Sequence, residues 1–216
     1  MSRTLTIDFF ADVVCPWCLI GGARLDRAIA SLPSDVAVEV NPRPFFLDPN
    51  TPAEGYDVAQ MLREKYGRDP REMQARVEDE ARKSGIDLDL SQQPRTFPTA
   101  PAHTLVRLAV AKGTAYGLST AIARAYFLEH RQINDGDVLA QIASQHGFSV
   151  DEARQAISLT AELAETASEA RTAAQAGISG VPFFVFDNQF ALSGCQPQEV
   201  FDRAFRIALG EEAAPA

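Results

Sequence analysis

A chain of 216 residues, 46% of them hydrophobic, is long enough to bury a sizeable core and too apolar to be disordered. Its net charge of −9 argues against nucleic acid, which selects basic surfaces. Three cysteines are too few for a structural disulfide framework at this length, and no apolar run approaches the ~18 residues that would suggest a membrane span.

In the first segment, Leu5, Ile7 and Phe9 alternate with Thr6, Asp8 and Phe10, which predicts a strand over 4–10. Met1-Ser2-Arg3 enters it with no signal-like apolar run and cleavage site ahead, so a cytoplasmic location is expected unless a precursor has been trimmed. Cys15-Pro16-Trp17-Cys18 then opens a helix carrying Leu25, Ala28, Ile29 and Leu32 at helical spacing. Val36, Val38 and Val40 alternate with Ala37, Glu39 and Asn41 and predict a second strand running into Pro42-Arg43-Pro44-Phe45-Phe46-Leu47, whose prolines suit an edge or an irregular end. Strand, helix and strand in this order predict a βαβ unit with parallel strands and a right-handed crossover.

Residues 48–56 read as a loop, and from Asp57 to about Ala176 the pattern is helical. Asp57 can cap a helix ending at Gly67, and Asp69-Pro70-Arg71-Glu72 has the form of a capping box. Met73, Val77 and Ala81 mark that helix's apolar face, with Gly85 as its end. A proline-containing loop is expected over 86–101. Further helices are expected from Ala102 to Gly113, around Ile122 to Phe127, from Val138 to Gly147, from a second capping box at Ser149–Glu152, and along the Ala-rich run Thr160 to Ala176. After Gly177 the strand signal returns: Val181 to Phe186, a turn at Asp187-Asn188-Gln189, and Phe190 to Ser193 predict an antiparallel hairpin. A last helix starts near Pro197 and buries Val200, Phe201, Ala204, Phe205 and Leu209. The expected organisation is one α/β domain built from residues 1–47 and 178–216, with a helical domain, residues 48–177, inserted into it.

The Cys pair carries the chemistry. Cys15 sits where the free N–H groups of a helix start point, which favours a thiolate and makes it the candidate nucleophile. Cys18, one turn later, is shielded and close enough to resolve a mixed disulfide. Pro16 presets the helix start, and Trp17 offers an apolar docking surface. The competing reading is half of a zinc site, but the remaining candidates Cys195, His103, His130 and His146 show no ligand spacing, so no metal is expected. Asp12 is a candidate proton relay for Cys18, against the simpler reading of a loop carboxylate; Asp8 is the weaker candidate. His103 is a candidate for lining a substrate cleft, against a solvated or capping histidine. Cys195 reads as a buried, inert thiol.

A Cys-Pro-Trp-Cys helix start, a βαβ unit and a closing hairpin opened by Gly180-Val181-Pro182 resemble the thioredoxin fold, and the helical insertion resembles its DsbA-like branch. Asp8-Phe9-Phe10, Asn41-Pro42-Arg43-Pro44-Phe45, Lys65-Tyr66-Gly67, Thr96-Phe97, Ala102-His103 and Ser193-Gly194 bring the likeness closer to the FrnE and 2-hydroxychromene-2-carboxylate isomerase group. The resemblance implies a cis Val181–Pro182 bond packed against the Cys pair, leaving the Val181 backbone free to pair with an extended substrate strand. It implies thiol–disulfide exchange with a disulfide- or dithiol-containing protein or a small thiol such as glutathione, with no bound cofactor. In the glutathione-dependent isomerases of the group, serine typically stands at the position of Cys15, so the dithiol favours exchange. Two alternatives stay open: a glutathione-dependent isomerase or transferase of an aromatic compound, and a redox-sensing or partner-binding protein without turnover. Nothing in the sequence points to a particular oligomeric state.

Overall fold

The computed structural model describes residues 3–213. Its centre is a four-stranded sheet in the order β2-β1-β5-β6. β1 (Arg3–Ala11) runs parallel to β2 (Val36–Pro44), pairing Leu5 with Val38 and Ala11 with Pro44, as the βαβ pattern requires. β2 lies on the sheet's edge, where Pro42 and Pro44 leave no central ladder short of a donor. β5 (Phe183–Phe186) runs antiparallel to β1, and β6 (Phe190–Ser193) pairs with β5. Asp187 and Asn188, with φ of 47° and 54°, turn the hairpin; such residues tolerate this left-handed backbone. The first hairpin strand starts at Phe183 rather than Val181, since Pro182 has no N–H to give the ladder.

The inward face of β1 is the predicted one: Leu5, Ile7 and Phe9 are buried. α1 (Pro16–Ala30) and α9 (Gln198–Leu209) cover the sheet. Phe201 and Phe205 of α9 meet Phe184 and Phe186 edge-on, with ring centroids 5.0 and 5.5 Å apart. α1 serves two buried clusters at once. Cys18, Leu25 and Ala28 pack with the sheet phenylalanines, while Leu19 and Ile20 pack with Leu105, Leu118 and Ile122 of the helical segment.

That segment contains α2 (Val58–Tyr66), α3 (Pro70–Lys83), α4 (Ala100–Leu108), α5 (Ala115–Phe127), α6 (Gly136–Ser144), α7 (Val150–Ser158) and α8 (Thr160–Gln175). Asp57 caps α2 through the Gln60 N–H, and Gly67 ends it with φ of 61°. Ser149 and Glu152 form the reciprocal capping box on α7. On α3 Asp69 instead takes the Arg71 N–H, with Pro70 in the first turn. Two features lie where only loop was expected: β3 (Tyr56–Asp57) pairs with β4 (Arg95–Thr96), and a 3₁₀ turn spans Leu90–Gln92. Two-residue strands are too short to show periodicity. α4 starts at Ala100, ahead of the expected Ala102, with Pro101 in its first turn, where a missing N–H costs nothing.

Arg24 ties α1 to α3 and to the β6–α9 connection. Its buried guanidinium reaches Glu80 Oε2 at 2.6 Å, Ser84 Oγ at 2.9 Å and the Gln196 carbonyl at 2.8 Å. Among the described residues no helix is long and apolar enough to cross a membrane.

Candidate active site

β1 delivers the chain to a tight turn in which the Cys15 N–H bonds the Asp12 carbonyl at 3.0 Å. Cys15 is the N-cap residue of α1, with φ −94° and ψ 113°, and Pro16 takes the first-turn position. The Cys15 carbonyl accepts the N–H groups of Cys18 at 3.0 Å and Leu19 at 3.2 Å, which starts the helix and fixes the spacing of the two thiols. Both are free. Neither is open to bulk solvent: Cys15 is 4% and Cys18 5% exposed.

Their surroundings differ. Cys15 lines a cavity of about 950 Å³, together with Pro16, Trp17, Phe45, Tyr66 and Val181. Cys18 does not reach it. Burial pushes the Cys18 thiol well above its ordinary value. The neighbouring Cys15 thiol and the charge of Asp12 act the same way, against a backbone hydrogen bond at Asp12. Burial thus favours the protonated form of Cys18.

The Val181–Pro182 peptide is cis. Pro182 rests on Gly21 of α1, where an added Cβ would lie 3.1 Å from Pro182 Cγ and 3.2 Å from Phe184 Cζ. A larger residue there would make both rings give by a few tenths of an ångström. The Val181 carbonyl stands 3.9 Å from Cys15 Sγ, at the limit for accepting a thiol hydrogen bond. The structure therefore brings Cys15, Cys18, Pro16, Trp17, Val181 and Pro182 together from the two ends of the chain. Trp17 is half-buried in the cavity wall.

Asp12 and His103 are placed differently from the simplest sequence readings. Asp12 is 2% exposed, neither a surface nor a loose loop carboxylate. Its Oδ2 accepts the Leu47 N–H at 2.8 Å, and Oδ1 lies 3.3 Å from His103 Nε2. His103, a candidate for lining the cleft, is 4% exposed and sits behind the cavity wall, its ring 5.6 Å from that of Phe46. A carboxylate this deep needs partners, and the imidazole on α4 supplies one. Asp8 instead pairs with Arg43 near the surface at 3.0 Å.

Cys195 is half-buried, with Arg24 Nη1 3.6 Å from its sulfur, and burial pushes its thiol up to about 11. Sequence reasoning missed the outer wall of the large cavity, to which α2 and α3 contribute Met61, Leu62, Tyr66 and Met73. α2 has no fully buried residue, so its apolar side belongs largely to the cavity; the available signal was an apolar stripe too narrow for a core helix. Among the described residues no group of three or more His, Cys, Asp or Glu converges as metal ligands would.

Three comparisons bear on this geometry. The family model described as the DSBA-like thioredoxin domain matches residues 6–206. A solved structure from Streptomyces coelicolor, described as a probable DsbA oxidoreductase, is 33% identical; the match covers 98% of this chain and 93% of that one, with a TM-score of 0.85. The cytosolic disulfide reductase DsbM of Pseudomonas aeruginosa, solved with glutathione, shares the fold at 21% identity, covering 95% of this chain and 99% of that one, with a TM-score of 0.63. Among curated proteins, the uncharacterised YwbO of Bacillus subtilis is 26% identical over 211 residues, 93% of this chain and 96% of its own.

Proposed function

We propose a function from one premise: the chain belongs to the DsbA-like thioredoxin family. The reading is a thiol–disulfide oxidoreductase in which Cys15 attacks and Cys18 resolves. The observation that carries it is the asymmetry of the pair: two free thiols in one helical turn, with Cys15 alone facing the large cavity and Cys18 buried behind it, its thiol raised by that burial.

As a reductase, the Cys15 thiolate attacks one sulfur of a substrate disulfide. A Cys15–substrate disulfide forms, the substrate S–S bond breaks, and the leaving sulfur takes the electron pair and then a proton. Cys18 loses its proton and attacks Cys15 Sγ; the Cys15–Cys18 disulfide forms and the second substrate thiolate departs. Two equivalents of glutathione, oxidised to its disulfide, would restore the dithiol. Run backwards, the same steps oxidise a dithiol. Asp12 is the proposed acid–base partner of Cys18, supported by its burial and by the effect of its charge on that thiol. Val181 and Pro182 are proposed to align an extended substrate segment beside Cys15, with Trp17 as the apolar surface it docks on. His103 serves by holding Asp12 rather than by touching substrate. Glutathione as partner and a cytoplasmic setting are proposed by analogy with the fold-mate described as a cytosolic disulfide reductase with glutathione.

The test is the reduction potential of the pair. The protein is equilibrated in glutathione buffers, its thiols are trapped by alkylation, and it is weighed. A reversible two-thiol transition is expected, near about −270 mV for a reductant or about −120 mV for an oxidant. If no Cys15–Cys18 disulfide forms anywhere in the range, the exchange reading fails.

A further inference from the structure

Resolution requires Cys18 to lose a proton at the moment when a substrate, bound through Cys15, fills the large cavity. The proton needs another way out. Cys18 lines a different cavity of about 70 Å³, walled by the end of β1, by α1 and by α5. Cys15 does not line it.

Its shape follows from a spacing on α1. Cys18, Gly22 and Asp26 are four residues apart and share one helix face. All three line the cavity, and the middle one has no side chain, so a passage is left between the thiol and the carboxylate two turns on. A Cβ on Gly22 would enter this space at ordinary contact, 3.7 Å from Phe9 Cε1 and 3.8 Å from the Tyr116 hydroxyl. Crowding does not require this glycine, whereas at Gly21 beside it the Pro182 and Phe184 rings press close. Polar groups line the passage: Asp12 with Cys18, Ser119, Thr120 and Arg124 from α5, and Asp26. The volume and these partners suit a short file of waters, each of which needs on the order of 10–15 Å³ of such space.

We propose that this cavity is the proton outlet of Cys18, with Gly22 keeping it open and Asp26 receiving the proton at its solvent end. The inference rests on the exchange reading above. Asp26 is exposed to solvent on one side and on the other accepts the Tyr116 hydroxyl at 2.7 Å. Arg124 is the charged group facing it across the cavity from α5, and Arg27 follows it on α1. Partial burial raises its carboxyl, the Tyr116 bond opposing, which moves it toward the range of a working proton acceptor. In the resolving step Asp12 takes the Cys18 proton and passes it to a water of the file, a proton leaves the other end to the Asp26 carboxylate, and Asp26 returns it to solvent. The Cys18 electron pair forms the Cys15–Cys18 bond, and the Cys15–substrate bond breaks with its pair going to the substrate sulfur.

The probe is dithiobis(nitrobenzoate), an aromatic disulfide that yields a coloured thiol. Mixed with reduced protein in stopped flow, it releases one equivalent when Cys15 attacks and a second when Cys18 resolves. Asp26→Asn keeps an acceptor for Tyr116 but cannot take a proton, and Gly22→Ala fills the passage. Each is expected to slow the second phase about tenfold, below the ~100-fold of a base in direct contact, and to flatten its pH dependence. The first-phase rate and the equilibrium constant of the Cys15–Cys18 disulfide against glutathione should stay within about twofold of the unmodified protein, and Asp26→Glu should recover most of the second phase. If both variants leave the second phase and its pH profile unchanged, the outlet is refuted. If the unmodified protein shows no second phase, it is the exchange reading that fails.

Discussion

Cys15 and Cys18 are separated by one helical turn and are almost equally covered, at 4% and 5% exposure, yet the protein treats them as opposites. Cys15, at the N-cap, faces a cavity large enough for a substrate and touches the Val181 carbonyl from the far end of the chain. Cys18, inside the helix, faces a separate and smaller cavity of about 70 Å³, with Asp12 at its wall. Exposure does not distinguish the thiols; which void each lines does. Three residues of separation on an α-helix leave two side chains about 60° apart on one face, close enough to bond, so the difference comes from the place of Cys15 at the extended N-cap, ahead of the first turn that holds Cys18.

The largest expected effect tests that division of labour. Cys15→Ser should reduce turnover of any disulfide substrate to background and remove both phases of the coloured release. Cys18→Ser should also abolish turnover but keep the first phase, so that a Cys15–substrate mixed disulfide accumulates and is visible as added mass. If Cys18→Ser sustains turnover, the front–back distinction is wrong, and a glutathione-dependent isomerisation centred on Cys15 becomes the better reading.

The neighbouring glycines sharpen the same comparison at the level of stability. Gly21 meets Pro182 and Phe184 at 3.1 and 3.2 Å, below comfortable Cβ contact, whereas Gly22 has its nearest neighbours at 3.7 Å or beyond. Gly21→Ala should lower the unfolding free energy by about 1–3 kcal/mol, because the Pro182 ring and the Phe184 ring must both give way in a packed core. Gly22→Ala should leave it unchanged or raise it by up to about 1 kcal/mol, the helix-propensity gain of alanine over glycine. Urea denaturation of the two variants side by side measures the difference; equal effects would mean that α1 does not sit closer to the Pro182 side than to the rear cavity.

Much of this arrangement was legible before the structure. β1, α1 and β2 follow from alternation and helical spacing, and the caps at Asp57, Gly67, Ser149 and Gly210 mark helix ends through local chemistry alone. The pairing of the Cys motif with Val181-Pro182 was legible only through the family resemblance, since no local rule joins residues so far apart. What stayed hidden depends on contacts rather than on pattern. The β3–β4 ribbon is too short for periodicity. The burial of Asp12 against His103 links positions on β1's exit and on α4, and a polar residue's burial cannot be read from its neighbours in sequence. Gly22 carries no local signal of its own; its place between Cys18 and Asp26 has meaning only once α5 closes the cavity around it.

The smallest expected effect is a drift of stability with pH, and its sign follows from the rear thiol. Burial raises the Cys18 thiol in the folded, reduced protein, so above the ordinary thiol value of about 8.5 the unfolded chain has released a proton that the folded chain still holds. Stability is then fully present below that value and is lost as pH rises through it toward the folded value. Cys195, pushed up to about 11, adds in the same direction, less strongly because it is only partly buried. Tyr116 and Tyr126 are raised as well, but their ordinary value is higher, so their contribution begins further up the scale. Urea unfolding of the reduced protein at about pH 7 and about pH 9.5 should show the decline. Oxidation to the Cys15–Cys18 disulfide, or Cys18→Ser, should remove most of it, and Cys195→Ser should remove a smaller share. If the oxidised and reduced proteins lose stability in parallel over this range, the protonated, water-facing Cys18 is not what separates the rear of the site from the front.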